Sequence, residues 1–211
     1  MRGKLIVLDG SNGAGKSTVL KHIKKHLDAN SIEYITTREP GGTEIGDKIR
    51  TILLDKSNSA MCSTTELMLF AAGRAQHLNE KITPALEKGI HVISDRFESA
   101  SVSFQHYGRG LPKETVDQLN DLALGNFRPD MTIILDLDPA IGLKRVKDRG
   151  EGLDRMEDID ISFLERARQG YLVQAKNHPN RFKVIDALQP LEGVVHDAIT
   201  TLDQIIKQPN N

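Results

Sequence analysis

The residues with the clearest chemical meaning lie near the start of the chain, where Gly10 to Ser17 fits the pattern G-x-x-x-x-G-K-[ST]. Glycines let the backbone curl so that its N–H groups point at phosphate oxygens, and a following helix adds the positive end of its dipole. Lys16 would reach the β- and γ-phosphates of a nucleoside triphosphate, and the Ser17 hydroxyl would ligate Mg²⁺. The candidate phosphate-binding residues are Gly10, Ser11, Asn12, Gly13, Ala14, Gly15, Lys16, Ser17 and Thr18.

An apolar run precedes this loop and a helical pattern follows it, which favours phosphate binding over a turn that only caps a helix. The loop alone leaves the class of protein open. Kinases, GTP-dependent switches, ATPase motors and small-molecule ligases all carry such a loop, so residues elsewhere in the chain must decide between them.

Charged residues follow the next two predicted strands. Arg38 lies in Thr37-Arg-Glu-Pro-Gly-Gly-Thr43, and an arginine beside a glycine-rich turn could bind a second phosphate, the alternative being a solvated surface arginine. Asp95 and Arg96 end the third strand, where an aspartate could hold a Mg²⁺ ion or its water and an arginine could bridge two phosphates. The alternative for this pair is a salt bridge at the strand end.

Aromatic and polar side chains could recognise a nucleobase. Phe70 and Arg74 have i, i+4 spacing and share one helix face, so a ring could stack on a base while a guanidinium donates to its edge. Ser101 and Gln105 on a later helix could hydrogen-bond the base edge, and Phe104 could press on a sugar and exclude a 2′-hydroxyl. Without the other motifs, a core position for Phe70 and a solvated Arg74 would be the favoured explanation.

A basic stretch with glycines follows the fourth predicted strand and its helix. It contains Arg145, Lys147 and Arg149, and then Gly150-Glu-Gly-Leu-Asp-Arg155. This composition predicts a short lid over residues 149–160 that carries arginines to the phosphates. The alternative is a solvated helix end followed by a surface turn.

Short apolar runs alternate with longer helical patterns along the chain, which predicts a doubly wound α/β fold with a parallel sheet covered on both faces. Ligands in such folds bind beyond the carboxyl ends of the strands, where the residues above lie. The predicted strands are 5–8, 34–37, 91–94, 131–137 and 182–186. The predicted helices begin near 16 and at 139, and otherwise span 45–54, 64–87, 114–124, 163–175 and 191–206.

The composition limits what the chain could be. Its 211 residues suit one α/β domain with a small lid, and the formal net charge of -1 argues against a broad nucleic-acid surface. Cys62 is the one cysteine, which excludes an intramolecular disulfide and a Cys/His zinc cluster; we expect it to be a small buried side chain. The apolar run at Leu5 to Leu8 is too short for a signal peptide, and no run approaches the ~18 residues of a membrane span, so we expect a cytoplasmic protein without a membrane partner.

Taken together, these motifs resemble the thymidylate kinase family, of the bacterial type with arginines in the lid. The resemblance extends from Gly10 to about Tyr171, and it implies a P-loop NTPase fold in a single domain over residues 1–211. The segments that carry it are Asp9 to Thr18, Arg38-Glu-Pro-Gly-Gly-Thr43, Phe70-Ala-Ala-Gly-Arg-Ala-Gln-His77, Asp95-Arg96, Asn126-Phe-Arg-Pro-Asp130 and Arg149-Gly-Glu-Gly-Leu-Asp-Arg155.

The resemblance implies transfer of the γ-phosphoryl group of ATP to dTMP, with Mg²⁺, in a homodimer. It places the ATP phosphates on Gly10 to Thr18 and the acceptor phosphate on Arg38 and Arg96. The phosphate loop has no arginine or lysine among its variable positions, so the lid arginines are the expected donors to the transition state. The implied catalytic residues are Lys16, Arg96, Arg149 and Arg155.

The resemblance also implies how dTMP is recognised. Phe70 stacks on thymine, Arg74 and Ser101 lie at its polar edge, Phe104 packs under the deoxyribose, and Gln105 lies near the nucleotide. Three positions depart from the family pattern. Asn12 stands where Asp or Glu contacts the 3′-hydroxyl of the acceptor, Phe104 where Tyr is common, and Ser101 where a larger Thr or Asn is common.

Three alternatives stay open. The protein could phosphorylate another monophosphate or a deoxynucleoside, which a substrate panel would separate. It could be a GTP-dependent switch or regulatory module, although the Asn-Lys-x-Asp motif of such switches is missing from the sequence. A nucleic-acid-dependent ATPase is disfavoured by the near-neutral charge and by the lack of an Asp-Glu pair after an apolar strand.

Overall fold

A computed structural model describes residues 2–148, 150, 154–157 and 159–208. Its strands form one parallel sheet in the order β2-β3-β1-β4-β5. These strands are β1 (Leu5–Gly10), β2 (Tyr34–Arg38), β3 (His91–Asp95), β4 (Met131–Asp136) and β5 (Phe182–Asp186). The strand order reverses around β1, so the carboxyl ends of β1, β3 and β4 meet at one edge. The predicted α/β fold with a five-stranded parallel sheet is confirmed.

Helices connect the strands close to the predicted positions. They are α1 (Lys16–Ala29), α2 (Glu44–Leu54), α3 (Ser63–His77), α4 (Thr83–Glu87), α5 (Glu98–Ser101), α6 (Lys113–Leu124), α7 (Pro139–Lys147), α8 (Ile161–Asn177) and α9 (Leu191–Lys207). A 3₁₀ turn spans Lys56–Asn58, and π-helical segments span Leu78–Ile82 and Val102–Gly108. The predicted single helix over 64–87 is therefore a continuous helical path in which a π-helical segment joins α3 to α4.

Helices cover both faces of the sheet. Since alternate residues of a strand point to opposite faces, neighbouring residues of β1 pack in different clusters. Leu8 packs in a cluster that contains Ile23 of α1 and Leu202 of α9. Val7 packs on the other face, in a cluster that contains Leu86 of α4. β1 is buried along its whole length, so its end is a fixed platform for the loop that follows.

One prediction about the core is wrong, since Cys62 is exposed. The cysteine precedes the first residue of α3, and its Sγ lies 3.1 Å from the Thr65 hydroxyl. A helix start among polar residues faces solvent, and this position overrides the general tendency of cysteine to be buried. None of the described helices is both long enough and apolar enough to cross a membrane.

Candidate active site

The phosphate loop turns between β1 and α1 and packs against the start of α7. Gly13 has φ +76°, and a Cβ built there would lie 2.3 Å from the carbonyl oxygen of Gly142, so the close approach requires glycine. The Lys16 ammonium folds over the loop and donates to the carbonyl oxygens of Ser11 at 3.0 Å and Gly10 at 3.3 Å. The loop therefore has the curled backbone that the sequence pattern predicts.

A cavity of about 280 Å³ opens beside this loop at the carboxyl edge of the sheet, and we call it the central cavity. It brings together most of the predicted site residues: Asn12, Gly13, Gly15, Lys16, Ser17, Arg38, Phe70, Asp95, Arg96, Ser101, Phe104 and Gln105. Phe70, Ser101, Phe104 and Gln105 form what we call the aromatic wall. The cavity thus joins a phosphate-binding loop to a surface with a ring and hydrogen-bonding groups.

Arg96 stands between the loop and the aromatic wall. Its backbone has φ +69°, in the left-handed region that non-glycine residues rarely adopt, and such strain is common at functional sites. One guanidinium nitrogen donates to Asp9 Oδ1 at 2.8 Å and to the Tyr171 hydroxyl at 2.8 Å, and the other donates to Asn12 Oδ1 at 2.6 Å. The guanidinium also lies 5.1 Å from the centre of the Phe104 ring. These contacts fix the position of the charge.

Asp9 is the fully buried partner of this arginine. Its carboxylate also accepts hydrogen bonds from the Ser99 hydroxyl and the Tyr171 hydroxyl, both at 2.6 Å. Burial alone would lower the pKa of Arg96, but the contact with Tyr171 and the charges of Asp9 and Asp95 outweigh it and raise that pKa. Arg96 therefore stays cationic at any working pH.

Arg74 lies behind the aromatic wall, with a side chain that is only 1% exposed. It donates to Glu39 Oε2 at 2.8 Å, Asn120 Oδ1 at 2.7 Å and Ser101 Oγ at 3.0 Å. Arg74 is not one of the residues that line the central cavity, whereas Ser101 and Glu39 are. The arginine is thus placed to orient Ser101 in this structure.

The two residues predicted to hold Mg²⁺, Ser17 and Asp95, line the same cavity. Asp95 Oδ1 is buried and has no hydrogen-bond partner among the described residues, which is an unfavourable state for a carboxylate unless a ligand completes it. In the part of the chain that the structure describes, no cluster of three His, Cys, Asp or Glu side chains could hold a metal ion. The residues suit a Mg²⁺ ion that arrives on a nucleotide, because such an ion needs only one or two protein ligands.

The predicted lid arginines have different positions. Arg149 lies outside the described residues. Arg145 points at the phosphate loop and donates to the Gly13 carbonyl oxygen at 3.4 Å. Arg155 is not among the residues that line the central cavity; it pairs with Glu66 at 2.7 Å and donates to the Leu53 carbonyl oxygen at 2.6 Å.

Several cavity residues were missed by sequence reasoning: Glu39, Pro40, Arg50, Leu54, Ala100, Asp154, Met156 and Glu157. Arg50 on α2 donates to the Pro40 carbonyl oxygen at 2.9 Å, and burial, followed by the charge of Arg38, lowers its pKa. A single arginine in an amphipathic helix gives no signal of such a role. Asp154 and Glu157 fall inside the lid that the sequence predicts over residues 149–160, but the sequence gives no sign that their carboxylates line the cavity.

A family model described as thymidylate kinase matches residues 8–199. The chain belongs to the thymidylate kinase family. It is 45% identical to the thymidylate kinase of Lactobacillus helveticus over 206 residues, which cover 97% of each chain. It is 43% identical to that of Teredinibacter turnerae, over 98% of this chain and 100% of the relative, and 41% identical to that of Clostridium novyi, over 93% and 96%.

Membership of the thymidylate kinase family agrees with the resemblance found from the motifs. The match includes the phosphate loop, the aromatic wall and Arg96, so the three parts of the central cavity all fall within the family region. The chain is therefore an ATP-dependent nucleoside monophosphate kinase, as the motifs predict.

Proposed function

We propose that the protein transfers the γ-phosphoryl group of ATP to dTMP and releases dTDP and ADP. One observation carries this proposal: the phosphate loop and the aromatic wall open into the same cavity, with the Arg96 guanidinium between them. A donor phosphate on the loop and an acceptor on the wall would then meet in line beside a fixed positive charge. This arrangement suits phosphoryl transfer, in which positioning and charge stabilisation supply most of the catalysis.

The roles of the residues on the acceptor side follow from the chemistry of their side chains. Phe70 would stack on thymine, Ser101 and Gln105 would meet its polar edge, and Phe104 would exclude a ribose 2′-hydroxyl. Arg74 would contribute through Ser101, whose hydroxyl it holds. Arg38 and Arg96 would bind the acceptor phosphate as charge-assisted donors, and Asn12, held by Arg96, would face the 3′-hydroxyl.

The donor side uses the phosphate loop and Lys16 for the ATP phosphates. Ser17 and Asp95 would hold Mg²⁺, which supplies neutralisation of the phosphate charge when bound. The acceptor phosphate is already ionised, so no general base is assigned. Arg149 would meet the transferring group from the lid, whose closure excludes the water that would otherwise hydrolyse ATP.

We also propose that the protein is a cytoplasmic homodimer that needs no nucleic-acid or membrane partner. The dimer is supported by large apolar side chains exposed on neighbouring helices: Ile45 and Ile52 on α2 are 50% and 47% exposed, and Met68 on α3 is 54% exposed. Burying such side chains against a second copy would be favourable by the hydrophobic effect.

Substitution of Lys16 tests the kinase assignment. We expect Lys16→Met to lower dTMP-dependent ADP release about 100-fold or more, because a charge-assisted contact to the transferring phosphate is lost. Circular dichroism and the melting temperature should stay close to wild type, since Lys16 is a partly exposed residue of the loop and donates to loop carbonyl groups. Wild-type turnover in the substituted protein would contradict the role of the loop.

A further inference from the structure

The carboxylate of Glu66 on α3 is buried and receives four hydrogen bonds or ion pairs from three side chains. Gln105 Nε2 donates to Oε1 at 2.9 Å, and Arg109 donates to Oε1 at 3.1 Å and to Oε2 at 2.9 Å. Arg155 pairs with Oε2 at 2.7 Å. The Glu66 side chain is 1% exposed, and although burial opposes its charge, hydrogen bonds from Arg109 and Gln105 outweigh it and lower its pKa. Glu66 is therefore ionised, and both of its carboxylate oxygens accept hydrogen bonds or ion pairs.

The three donors belong to two parts of the site, because Arg109 directly follows the segment that contains Gln105. Gln105 belongs to the aromatic wall, on the π-helical segment Val102–Gly108. Arg155 belongs to the lid region, and its neighbours Asp154, Met156 and Glu157 line the central cavity. Glu66 itself does not line the cavity. The Glu66 carboxylate, which lies outside the cavity lining, thus connects the aromatic wall at Gln105 to the lid region at Arg155.

Arg155 is attached at three points. Besides its pair with Glu66, its backbone N–H donates to the Leu54 carbonyl oxygen at 3.1 Å, and its Nε donates to the Leu53 carbonyl oxygen at 2.6 Å. The side chain is 10% exposed. A guanidinium held in this way anchors residues 154–157 to the end of α2, and it does not line the central cavity. Its remaining nitrogen, Nη2, is buried and finds no hydrogen-bond partner within the described residues.

We propose that Glu66 and Arg155 are a buried positioning pair, which docks residues 154–157 on the rim of the central cavity and couples this docking to the orientation of Gln105. The proposal rests on the proposed function for the identity of the acceptor. It changes the role expected for Arg155 from the sequence, because the residue acts through the segment it anchors and does not touch the transferring phosphoryl group. Loss of either partner leaves the other charge buried with fewer partners, so both elements should loosen.

Steady-state kinetics separate positioning from catalysis. We expect Arg155→Met to raise the KM for dTMP about tenfold or more with kcat within about threefold, because acceptor binding loses its docked rim. A fall in kcat of about 100-fold at an unchanged KM for dTMP would overturn the proposal and put the guanidinium on the phosphoryl group. Arg166→Met is the matched control, since Arg166 donates to the Gly108 carbonyl oxygen and not to Glu66, and it should leave both constants unchanged.

A double-mutant cycle tests the coupling. If Glu66→Gln and Arg155→Met remove the same interaction, the double variant should raise the KM for dTMP no more than about twofold beyond the worse single variant. Effects that multiply would show that the two residues act independently and would overturn the pair. Should Glu66→Gln fail to fold, Arg155→Met and its control still decide the question.

Hydrogen–deuterium exchange of the nucleotide-free protein distinguishes failure of this proposal from failure of the proposed function. Arg155→Met should speed exchange of the amides of Met156 and Glu157, which donate to Asp154 Oδ1, and leave α8 unchanged. Unchanged exchange of these amides would overturn the docking role whatever the acceptor is. Absence of dTMP-dependent ADP release in the wild-type protein would instead count against the proposed function alone.

Discussion

Glu98 is the first residue of α5, and its buried carboxyl group has fewer hydrogen-bond partners than those of Asp9 and Glu66. Its Oε2 is buried without a hydrogen-bond partner within the described part of the chain. Burial raises the pKa of Glu98 to about 7, although the charge of Arg74 lowers it, and the nearby Glu39 adds to the rise. Asp9 and Glu66, by contrast, each accept hydrogen bonds or ion pairs from several donors. Burial therefore raises the pKa of Glu98, whereas the hydrogen bonds to Glu66 lower the pKa of that carboxyl group.

This difference predicts a pH-dependent stability. A carboxyl group whose pKa rises from 4.5 to about 7 on folding contributes stability that is present below pH 4.5 and is lost as the pH rises through 7. Glu98→Gln keeps a neutral side chain at every pH, so relative to wild type it should gain up to about 3 kcal/mol between pH 5 and pH 8.

Urea unfolding at both pH values measures this gain. Glu192→Gln, at an exposed position in the first turn of α9, serves as the control and should show the same difference from wild type at both pH values. If the Glu98→Gln difference is also the same at pH 5 and pH 8, the buried carboxyl is not titrating in this range.

At the scale of elements, the phosphate loop is held by its contact with α7 as well as by β1 and α1. A Cβ built on Gly142 would lie 2.2 Å from the carbonyl oxygen of Asn12, just as a Cβ on Gly13 would meet Gly142. The backbone of the phosphate loop therefore packs directly on the backbone of α7. Arg145 of α7 also donates to the Gly13 carbonyl oxygen. The curvature of the loop depends on an element more than 100 residues away in the sequence.

A pair of alanine substitutions tests this contact. Gly142→Ala should displace the loop and lower kcat/KM for ATP about tenfold or more, because a rigid backbone neighbour cannot yield. Gly73→Ala is the matched helical control: its Cβ would lie 3.8 Å from Ile49, and it should stabilise α3 by up to about 1 kcal/mol without loss of activity. Equal ATP kinetics in the two variants would show that the α7 contact does not shape the loop.

The same scale shows what could be predicted from sequence. Strands such as β1 and β4 could be predicted because each is a continuous apolar run buried on both faces. The phosphate loop could be predicted because its chemistry is local in sequence. The partners of Arg74 and Arg96 could not, since Glu39 lies 35 residues from Arg74 and Asp9 lies 87 residues from Arg96. The sequence pattern also does not distinguish a π-helical segment from an α-helix, so it predicts an ordinary helix around Gln105, where the structure has a π-helical segment.

On the scale of the whole molecule, the central cavity lies at the carboxyl edge of the sheet, and α2 and α3 expose apolar side chains on the surface. Ile45, Ile52 and Met68 are about half exposed on this surface. α2 also carries Arg50, and α3 carries Phe70 and Glu66, so packing against a second copy would steady the helices that build the central cavity. The proposed homodimer would therefore be mechanically coupled to the site.

Sedimentation equilibrium tests the proposed homodimer. Wild-type protein should have twice the monomer mass of 23.4 kDa, and Met68→Glu should shift it to the monomer mass at micromolar concentration, because a charge would be buried at the interface. Leu191→Glu is the matched control, since Leu191 is 45% exposed on α9, which packs on α1 and β5, and it should leave the mass unchanged. A wild-type monomer would contradict the proposed homodimer.

The acceptor specificity is the central claim, and ADP release from ATP and Mg²⁺ with each of dTMP, dUMP, dCMP, dGMP, AMP and UMP tests it most directly. We expect a kcat/KM for dTMP at least about tenfold above that for every other monophosphate, because Phe70, Ser101, Gln105 and Phe104 together select a thymine base and a deoxyribose. Such a result would also show that Asn12 and Phe104 support dTMP binding. A clear preference for another monophosphate would contradict the assignment of the aromatic wall, and ADP release that no acceptor stimulates would contradict the kinase itself.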